Sequence, residues 1–325
     1  MRIYDSNGNL QYSDILGELS FEKYARNITI DNSSNSSSLT DYQVLITVDT
    51  ATPISAGKMR SDCGDIRFYD GTNNLSYWIE GGINTTSTRI WVKVPSIPAS
   101  FKKTIQIYYG NPNLGSLSNG DKTFLFFDDF SGRSLDTNKW LFTRLYGSGT
   151  YTATVANGYV DIYAAGSATA AIVSKFGISL PLAIEGSYRA STSYSNTSVY
   201  HSITQNSAGD DNNKLAIARG NNSFIYYKVV SGTTTYYQQS SATTPVEWTR
   251  FSWRITTTNA YYFENGSQMN TTTTQDRFTT GTNYLMFSVS TNAATDYDWI
   301  ALRNFTSTEP TTTIGSEYAM PIRIR

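Results

Sequence analysis

The sequence predicts an all-β protein made of two β-sandwich domains, the second a jelly roll, with a short N-terminal hairpin arm. Apolar and polar residues alternate with period two in many short segments, such as residues 42–48, which is typical of half-buried strands. Turn-forming clusters such as residues 70–74 separate these segments about every ten to fifteen residues. Only residues 14–25 have the pattern of a helix, and Gly17 weakens it.

The length of 325 residues exceeds the roughly 100 to 200 residues of one usual domain, so two domains are expected. Asn7-Gly8 suits a tight turn with positive φ angles and predicts the N-terminal hairpin. Several short strands in about ninety residues predict the first sandwich, and about twelve strands in the next 190 or so predict the jelly roll. The expected segments are the arm at 1–20, the first sandwich at 21–115, a linker at 116–125, the jelly roll at 126–316 and a tail at 317–325.

The charges of the chain are balanced, with 25 basic and 26 acidic residues. This balance lacks the positive surface that binding to nucleic acid or to anionic membranes requires. Charged residues make up only 16% of the chain while tyrosine occurs 24 times, a composition typical of extracellular β-proteins. No run of residues is long and apolar enough to span a membrane. We therefore expect an extracellular protein, displayed on a cell surface or on a virion surface.

Two groups of motifs resemble two families that occur in tandem. The first group resembles a domain of unknown function common in archaeal and bacterial surface proteins, through Asp65-Ile66-Arg67-Phe68, Tyr77-Trp78-Ile79-Glu80, Ile90-Trp91-Val92-Lys93-Val94-Pro95 and Ile107-Tyr108-Tyr109-Gly110. The second resembles the concanavalin A-like lectin/glucanase superfamily, of the laminin-G-like kind, through Phe127-Asp128-Asp129-Phe130-Ser131-Gly132, Trp248-Thr249-Arg250-Phe251 and Tyr297-Asp298-Trp299-Ile300. The resemblance implies a concanavalin A-like jelly roll for the second domain. It bears more on fold than on activity, because these folds carry many functions.

The superfamily's glucanases hold two carboxylates about 5 to 5.5 Å apart, and in sequence these residues form a Glu-x-Asp-x-Glu triplet. That triplet is absent, and Glu185, Glu247 and Glu264 each stand alone in their strands. The only histidine, His201, has the setting of a strand-face residue and not that of a catalytic base. We therefore expect a protein that is not an enzyme, with a polysaccharide hydrolase as an alternative.

Acidic residues provide a candidate calcium site at the start and end of the second domain. The superfamily that this domain resembles often holds a hard cation near its first and last strands, through acids and backbone carbonyls. Asp128, Asp129 and Asp298 occupy such positions, so a structural Ca²⁺ is expected there, with turn capping as the alternative. The acidic segment 210–213 is instead expected to be a solvated loop.

Aromatic residues provide the candidate glycan site, because an aromatic face packs on a pyranose ring while polar groups bind its hydroxyls. In a consecutive pair of tyrosines one ring must face outward if the strand is regular. The candidate ligand-binding residues are Tyr194, Tyr200, Tyr226, Tyr227, Tyr236 and Tyr237. The tryptophans are expected in the core, at Trp78, Trp91, Trp140, Trp248, Trp253 and Trp299.

Asn-x-Ser/Thr sequons favour a glycosylated exterior, which would make the chain a glycoprotein. They begin at Asn27, Asn32, Asn35, Asn74, Asn84, Asn196, Asn221, Asn265, Asn270 and Asn304.

These observations favour an adhesin or receptor-binding protein that recognises glycans or a cell-surface glycoprotein. An alternative is a structural subunit of a virion, spike or filament, in which residues 1–12 or 320–325 pair with a neighbouring chain. Either role is compatible with a homo-oligomer or with membership of a larger surface assembly.

Overall fold

The computed structural model describes residues 22–190, 198–220, 222–243, 245–276 and 281–320. The expected hairpin arm at 1–20 and the candidate residues Tyr194, Asn196 and Asn221 lie outside these residues. Within the described part the all-β prediction is confirmed, since nearly every regular element is an antiparallel strand. No helix there is long and apolar enough to cross a membrane.

The elements are numbered in chain order. The helices are single turns, α1 (Ala51–Ser55) and α2 (Gly120–Thr123). The strands before residue 124 are β1 (Tyr24–Asp31), β2 (Leu39–Val48), β3 (Arg67–Asp70), β4 (Asn73–Leu75), β5 (Tyr77–Gly81), β6 (Thr88–Ile97) and β7 (Lys102–Tyr109). The strands after it are β8 (Phe126–Asp128), β9 (Trp140–Tyr146), β10 (Tyr151–Ala156), β11 (Tyr159–Ala164), β12 (Thr169–Ser174), β13 (Leu182–Ala190), β14 (Ser198–Thr204), β15 (Lys214–Gly220), β16 (Ser223–Val230), β17 (Thr233–Ser241), β18 (Thr249–Ile255), β19 (Ala260–Glu264), β20 (Ser267–Gln268), β21 (Tyr284–Ser290), β22 (Ala293–Asn304) and β23 (Thr311–Ala319).

The chain forms two compact units, and the second is inserted into the first. Within the described residues, unit 1 comprises 22–123 together with 308–320, and unit 2 comprises the residues of 124–307. Strand β23 belongs to unit 1 because it pairs with β1, from Tyr24 opposite Ala319 to Asp31 opposite Thr311. The sequence-based boundaries had divided this strand between the jelly roll and the tail. They differ here because alternation identifies a strand but does not identify its partner.

Unit 1 is a sandwich of a five-stranded sheet, in the order β23-β1-β7-β3-β4, and a three-stranded sheet, in the order β2-β6-β5. Alternate residues of both sheets point inward and form one apolar core. Fully or almost fully buried members of this core include Ile28, Ile30, Val44, Ile46, Cys63, Ile90, Val92, Ile105 and Ile107. The sequence stretches that alternate most regularly are therefore those that build the core.

Unit 2 is a larger sandwich. Its seven-stranded sheet has the order β17-β16-β15-β14-β21-β12-β9, and its eight-stranded sheet has the order β10-β11-β22-β13-β18-β19-β20, with β8 beside β22. The core residues of the seven-stranded sheet include Trp140, Ile172, Ile217 and Phe287. The core residues of the eight-stranded sheet include Ile162, Ile184, Trp253 and Tyr297. This arrangement agrees with the predicted jelly roll.

Charged and polar groups are also buried inside unit 2. Arg219 donates from Nε and Nη2 to the two carboxylate oxygens of Glu264, at 2.9 and 3.2 Å, and the Tyr188 hydroxyl donates to Glu264 Oε1 at 2.6 Å. His201 is 1% exposed, and its Nδ1 lies 3.0 Å from the Tyr262 hydroxyl. Burial, and to a smaller extent Arg219, lower the pKa of His201 to about 3, so the ring is neutral. Glu264 is thus a partner in a core ion pair, although it stands alone in its own strand.

Candidate functional site

The outer face of the seven-stranded sheet of unit 2 carries a second apolar surface. In β15 and β16 every second side chain joins the main core, and the side chains between them point to the other face. Ala216, Ala218, Tyr227 and Val229 are buried there, with Tyr200 packed against them. Such a cluster on the outer side of a sheet indicates a recessed surface.

A cavity of about 360 Å³ lies on this outer face. Tyr200, Tyr227 and Tyr236 line it, together with Ile225 from the same face. The rings of Tyr227 and Tyr236, on the neighbouring strands β16 and β17, have centroids 6.0 Å apart and planes inclined by 44°. Tyr236 is 57% exposed and Tyr227 only 7%, so one ring lies within reach of a ligand and the other supports it.

A buried cation lies among these tyrosines. The Lys214 side chain is 4% exposed, and its ammonium lies 4.7 Å from the centroid of the Tyr200 ring and 5.5 Å from that of Tyr227. It forms an ion pair with Asp211. Burial acts to lower the pKa of Lys214, but Tyr227 and Asp211 outweigh this effect and the net shift is upward. Lys214 is therefore charged, and because burial raises the pKa of Tyr227 to about 12, that phenol is neutral.

The loop between β14 and β15, residues 205–213, folds over the same outer face. A second cavity, of about 410 Å³, lies beside it, and Asp211 and Asn212 line both cavities. Asp210 accepts hydrogen bonds from the Asn212 backbone N–H at 2.7 Å and from Asn213 Nδ2 at 2.8 Å. The segment expected to be a solvated loop is therefore hydrogen-bonded internally and lines the cavities. A run of polar residues in the sequence does not show whether a loop is only solvated or also lines a site.

The described candidate tyrosines divide into two groups. Tyr200, Tyr227 and Tyr236 converge on the cavity, whereas Tyr226 and Tyr237 face the opposite side of the sheet. Tyr226 is fully buried, and its hydroxyl donates to a backbone carbonyl at 3.0 Å. Its ring packs against that of Tyr237, with centroids 4.8 Å apart. The strand period explains the division, because one member of each consecutive pair must face the core.

Lys214 and Asp211 were not among the sequence-based candidates. A signal for Lys214 exists, since it begins a strand in which positions 214, 216 and 218 share one face. Lysine on the face opposite a core is ordinarily solvated, so this pattern alone does not indicate a buried charge. The ion pair with Asp211 depends on how the preceding loop folds.

The three expected calcium ligands do not form a cluster in the described residues, and calcium binding itself stays a prediction. The two carboxylate oxygens of Asp128 accept hydrogen bonds from the Phe130 backbone N–H at 2.9 Å and from Trp140 Nε1 at 2.8 Å. Asp129 accepts from the backbone N–H two residues further on, at 3.2 Å. In the part of the chain that the structure describes, no three acidic, histidine or cysteine side chains, Asp298 included, group as metal ligands. The geometry favours turn capping, the alternative, for Asp128 and Asp129.

Three of the sequons lie at buried positions in the folded chain, and use of the sequons stays a prediction. Asn32, Asn35 and Asn270 are buried, and Nδ2, the atom that a glycan would modify, donates to backbone carbonyls in Asn32 and Asn270. Asn304 is half-buried. The exposed sequon asparagines of the described chain are Asn27, Asn74, Asn84 and Asn265.

A pair of acids lies on the outer face of the eight-stranded sheet. Asp161 of β11 is opposite Asp296 of β22, and Asp296 accepts from Arg189 Nε at 2.7 Å. The Arg189 guanidinium packs 4.5 Å from the centroid of the Trp248 ring, which is 38% exposed and not in the expected core. Burial and a hydrogen bond with Asp296 raise the pKa of Asp161 to about 7. The Asp161 carboxyl is therefore partly protonated at neutral pH.

Comparison with known proteins identifies similarities of fold. Residues 62–143 match the family described as "Domain of unknown function (DUF2341)", and no curated protein matches the sequence. Similar solved structures include an endo-β-1,3-glucanase from Pyrococcus furiosus, with 10% identity, a TM-score of 0.44 and coverage of 57% of this chain and 95% of that one. The laminarinase catalytic domain from Thermotoga petrophila RKU-1 has 11% identity, a TM-score of 0.42 and coverage of 56% and 97%. A structure from work on endo-acting O-glycanases of the human gut microbiota has 10% identity, a TM-score of 0.46 and coverage of 56% and 100%.

The expectation that the chain is not an enzyme is contradicted by these comparisons, because the similar structures are those of glycoside hydrolases. Absence of one sequence triplet does not exclude catalysis, since a carboxylate pair can be assembled from separate segments. The tandem arrangement is not confirmed, because unit 2 interrupts unit 1. The chain is thus similar to the domain of unknown function at residues 62–143, and its solved structural neighbours include glucanases.

Proposed function

We propose that the protein recognises glycans on the outer face of the seven-stranded sheet of unit 2. The observation that carries this proposal is the convergence of Tyr200, Tyr227 and Tyr236 around the ion-paired Lys214 in one cavity. Pyranose rings present apolar C–H faces that pack on aromatic rings, and their hydroxyls need hydrogen-bonding partners. The cavity offers both kinds of group.

Each cavity residue has a role in this proposal. The exposed ring of Tyr236 packs on a sugar, while Lys214 holds the rings of Tyr200 and Tyr227 in place. Asp211 and the tyrosine hydroxyls bind sugar hydroxyls. Because Asp211 neutralises Lys214 inside the cavity, the site favours neutral sugars over acidic ones.

The finer proposal is that this recognition serves an adhesin or receptor-binding protein displayed on a cell or virion. The low content of charged residues, 16%, and the exposed sequons at Asn27, Asn74, Asn84 and Asn265 support that setting. Assembly through the chain ends stays a prediction, because residues 1–12 and 321–325 lie outside the described residues. Strand β23 pairs with β1 on one side and forms the edge of its sheet on the other.

The test is binding of the intact protein to an array of neutral and acidic glycans, followed by calorimetry with the best-bound glycan. We expect Tyr236→Ala to weaken that binding at least tenfold without changing the thermal unfolding midpoint, since the ring is 57% exposed. The matched control is Tyr318→Ala, which removes a 38% exposed tyrosine from unit 1 and should leave binding unchanged. An array without any bound glycan, or equal effects of the two variants, would contradict the proposal.

Hydrolysis of a glycan at this face is the second candidate function. The observation that favours it is the position of Asp210 and Asp211, consecutive acids that line neighbouring cavities. Glycoside hydrolysis needs two carboxyl groups, and the seven strands of this sheet contain no Asp or Glu, so the loop would have to supply both. Release of reducing ends from β-1,3-glucan or mucin glycans, lost in Asp211→Asn, would support this function. Absence of release from both substrates would count against it.

A further inference from the structure

We infer that the site binds the ends of glycan chains and not the interior of long polymers, because the loop at residues 205–213 closes one side of the recessed face. This inference rests on the proposed function and narrows its ligand class to terminal sugars and short oligosaccharides.

The loop packs against part of the outer face formed by β21, β12 and β9. Gly209 lies so close to this part that a Cβ atom added to it would stand 2.8 Å from Leu145, 3.0 Å from Val173 and 3.4 Å from Met286. Val173 and Met286 are fully buried although they point away from the main core. A ligand therefore cannot lie over Val173 and Met286 without displacing the loop.

The loop is stabilised by hydrogen bonds within it and by one hydrogen bond to a neighbouring turn. Near its start, the Asn206 side chain accepts from the Ala208 backbone N–H at 2.9 Å, and the Gly209 N–H donates to the Asn206 carbonyl at 3.0 Å. Near its end, the Asn212 carbonyl accepts from the Gly232 N–H at 3.0 Å, in the turn between β16 and β17. Gly209 has a φ angle of +82°, which favours glycine. These contacts indicate a fixed barrier.

The remaining part of the outer face spans the strands β14 to β17. Adjacent strands are about 4.8 Å apart, so the open floor is about 14 Å wide across the strands. The loop bounds it on the β14 side, and the turn that is bonded to the loop bounds one end of β16 and β17. The terminal sugar of a chain that enters over the edge strand β17 can reach Lys214 and Asp211. A polymer interior placed beside Lys214 and Asp211 would have to continue through the loop or turn back toward an open side of the floor.

The experiment measures how many protein molecules bind one glycan chain. Linear glucans, xylans and galactans are prepared as short oligosaccharides and as polymers of graded length, and saturation is followed by analytical ultracentrifugation. End binding predicts about one protein per chain even when the polymer is ten times longer. A number of bound proteins that rises with polymer length would overturn the inference while leaving the proposed function intact. No binding to any oligosaccharide or polymer would contradict the proposed function itself.

A loop variant adds a second readout. Replacing residues 206–209 with two glycines removes the Gly209 contact and retains Asp211 and Lys214. We expect this variant to bind several molecules per long polymer while its affinity for the oligosaccharide stays within about threefold of wild type. If polymer binding by a folded variant still stops at one per chain, the loop is not the barrier. If the variant does not fold, the number of wild-type molecules bound per polymer chain tests the inference on its own.

Discussion

The Lys214 ammonium lies 4.7 Å from the centroid of the Tyr200 ring and forms an ion pair with Asp211 at the floor of the cavity. We expect Lys214→Met to keep the apolar stem and to leave the Asp211 carboxylate without its cation. The free energy of unfolding in urea should fall by about 1–3 kcal/mol, the usual cost of an unsatisfied partly buried polar group. Glycan affinity should fall as well, because the tyrosine rings lose their support.

The matched control for this change is Lys228→Met. Lys228 pairs with Asp276, whose side chain is 56% exposed and can be solvated by water. Its loss should cost less than about 1 kcal/mol, as for other surface ion pairs. Equal destabilisation by the two substitutions would show that the pair at the cavity floor has no special role.

The buried ion pair of Arg219 and Glu264 predicts a larger effect. Glu264→Ala leaves the guanidinium of Arg219 in the core without its bidentate partner. The free energy of unfolding should decrease by about 3–5 kcal/mol, as is usual when one partner of a buried pair is removed. Glu247→Ala, at an exposed position, should change it by less than about 0.5 kcal/mol. A loss below about 1 kcal/mol in Glu264→Ala would contradict this account.

The carboxyl pair of Asp161 and Asp296 predicts a dependence of stability on pH. The pKa of Asp161 is about 7 in the folded chain, above its ordinary value of 3.8, so the folded state holds a proton that the unfolded state releases. The resulting stabilisation is fully present below about pH 4 and is lost as the pH rises through about 7. Asp161→Asn retains a neutral side chain at all pH values.

We therefore expect the thermal midpoint of Asp161→Asn to exceed that of the wild type more at pH 8 than at pH 5. Thr154 is opposite Asp161 on β10, and Arg189 pairs with Asp296 from β13. No further acid at these paired positions therefore contributes to the measured pH dependence. Glu247→Gln, an exposed carboxyl change, serves as the control and should show the same difference at both pH values. A pH-independent effect of Asp161→Asn would refute the raised pKa of Asp161.

Sequon use can be measured directly by peptide mass spectrometry after expression in a glycosylating host. Glycans are expected at exposed asparagines such as Asn74 and Asn84, whose side chains point to solvent. None is expected at Asn32 or Asn270, because folding engages Nδ2 of both side chains in hydrogen bonds with backbone carbonyls. A fully occupied glycan at Asn270 would require a different local fold.

Much of the fold could be predicted from sequence, because the period-two alternation of apolar and polar residues indicates both where a strand forms and which of its side chains point to the core. The same period explains why Tyr227 and Tyr236 reach the cavity while Tyr226 enters the core. Pairing is not local, and the sequence of β23 contains nothing that distinguishes a partner in unit 1 from one in unit 2. The order of the strands along the chain was thus predictable, but the insertion of unit 2 into the sequence of unit 1 was not.

The site was only partly predictable for a similar reason. Tyrosines can be recognised in sequence as residues that can pack on a sugar. The roles of Lys214 and Asp211 depend instead on burial and on how a loop folds, which the sequence does not show. At the predicted calcium site, a residue type that is recognisable in sequence has a different role in the folded chain. Asp128 has the right residue type, but its oxygens are already engaged by N–H donors that only the folded chain brings near.

The insertion of unit 2 also sets an order for folding during synthesis. Strand β23 leaves the ribosome after every strand of unit 2, so the growing chain can close the larger sandwich first. Until then β1, the neighbour of β23 in the finished sheet, presents an unpaired edge. The nascent first unit is therefore exposed to wrong pairing at β1 until β23, the last described strand, covers that edge.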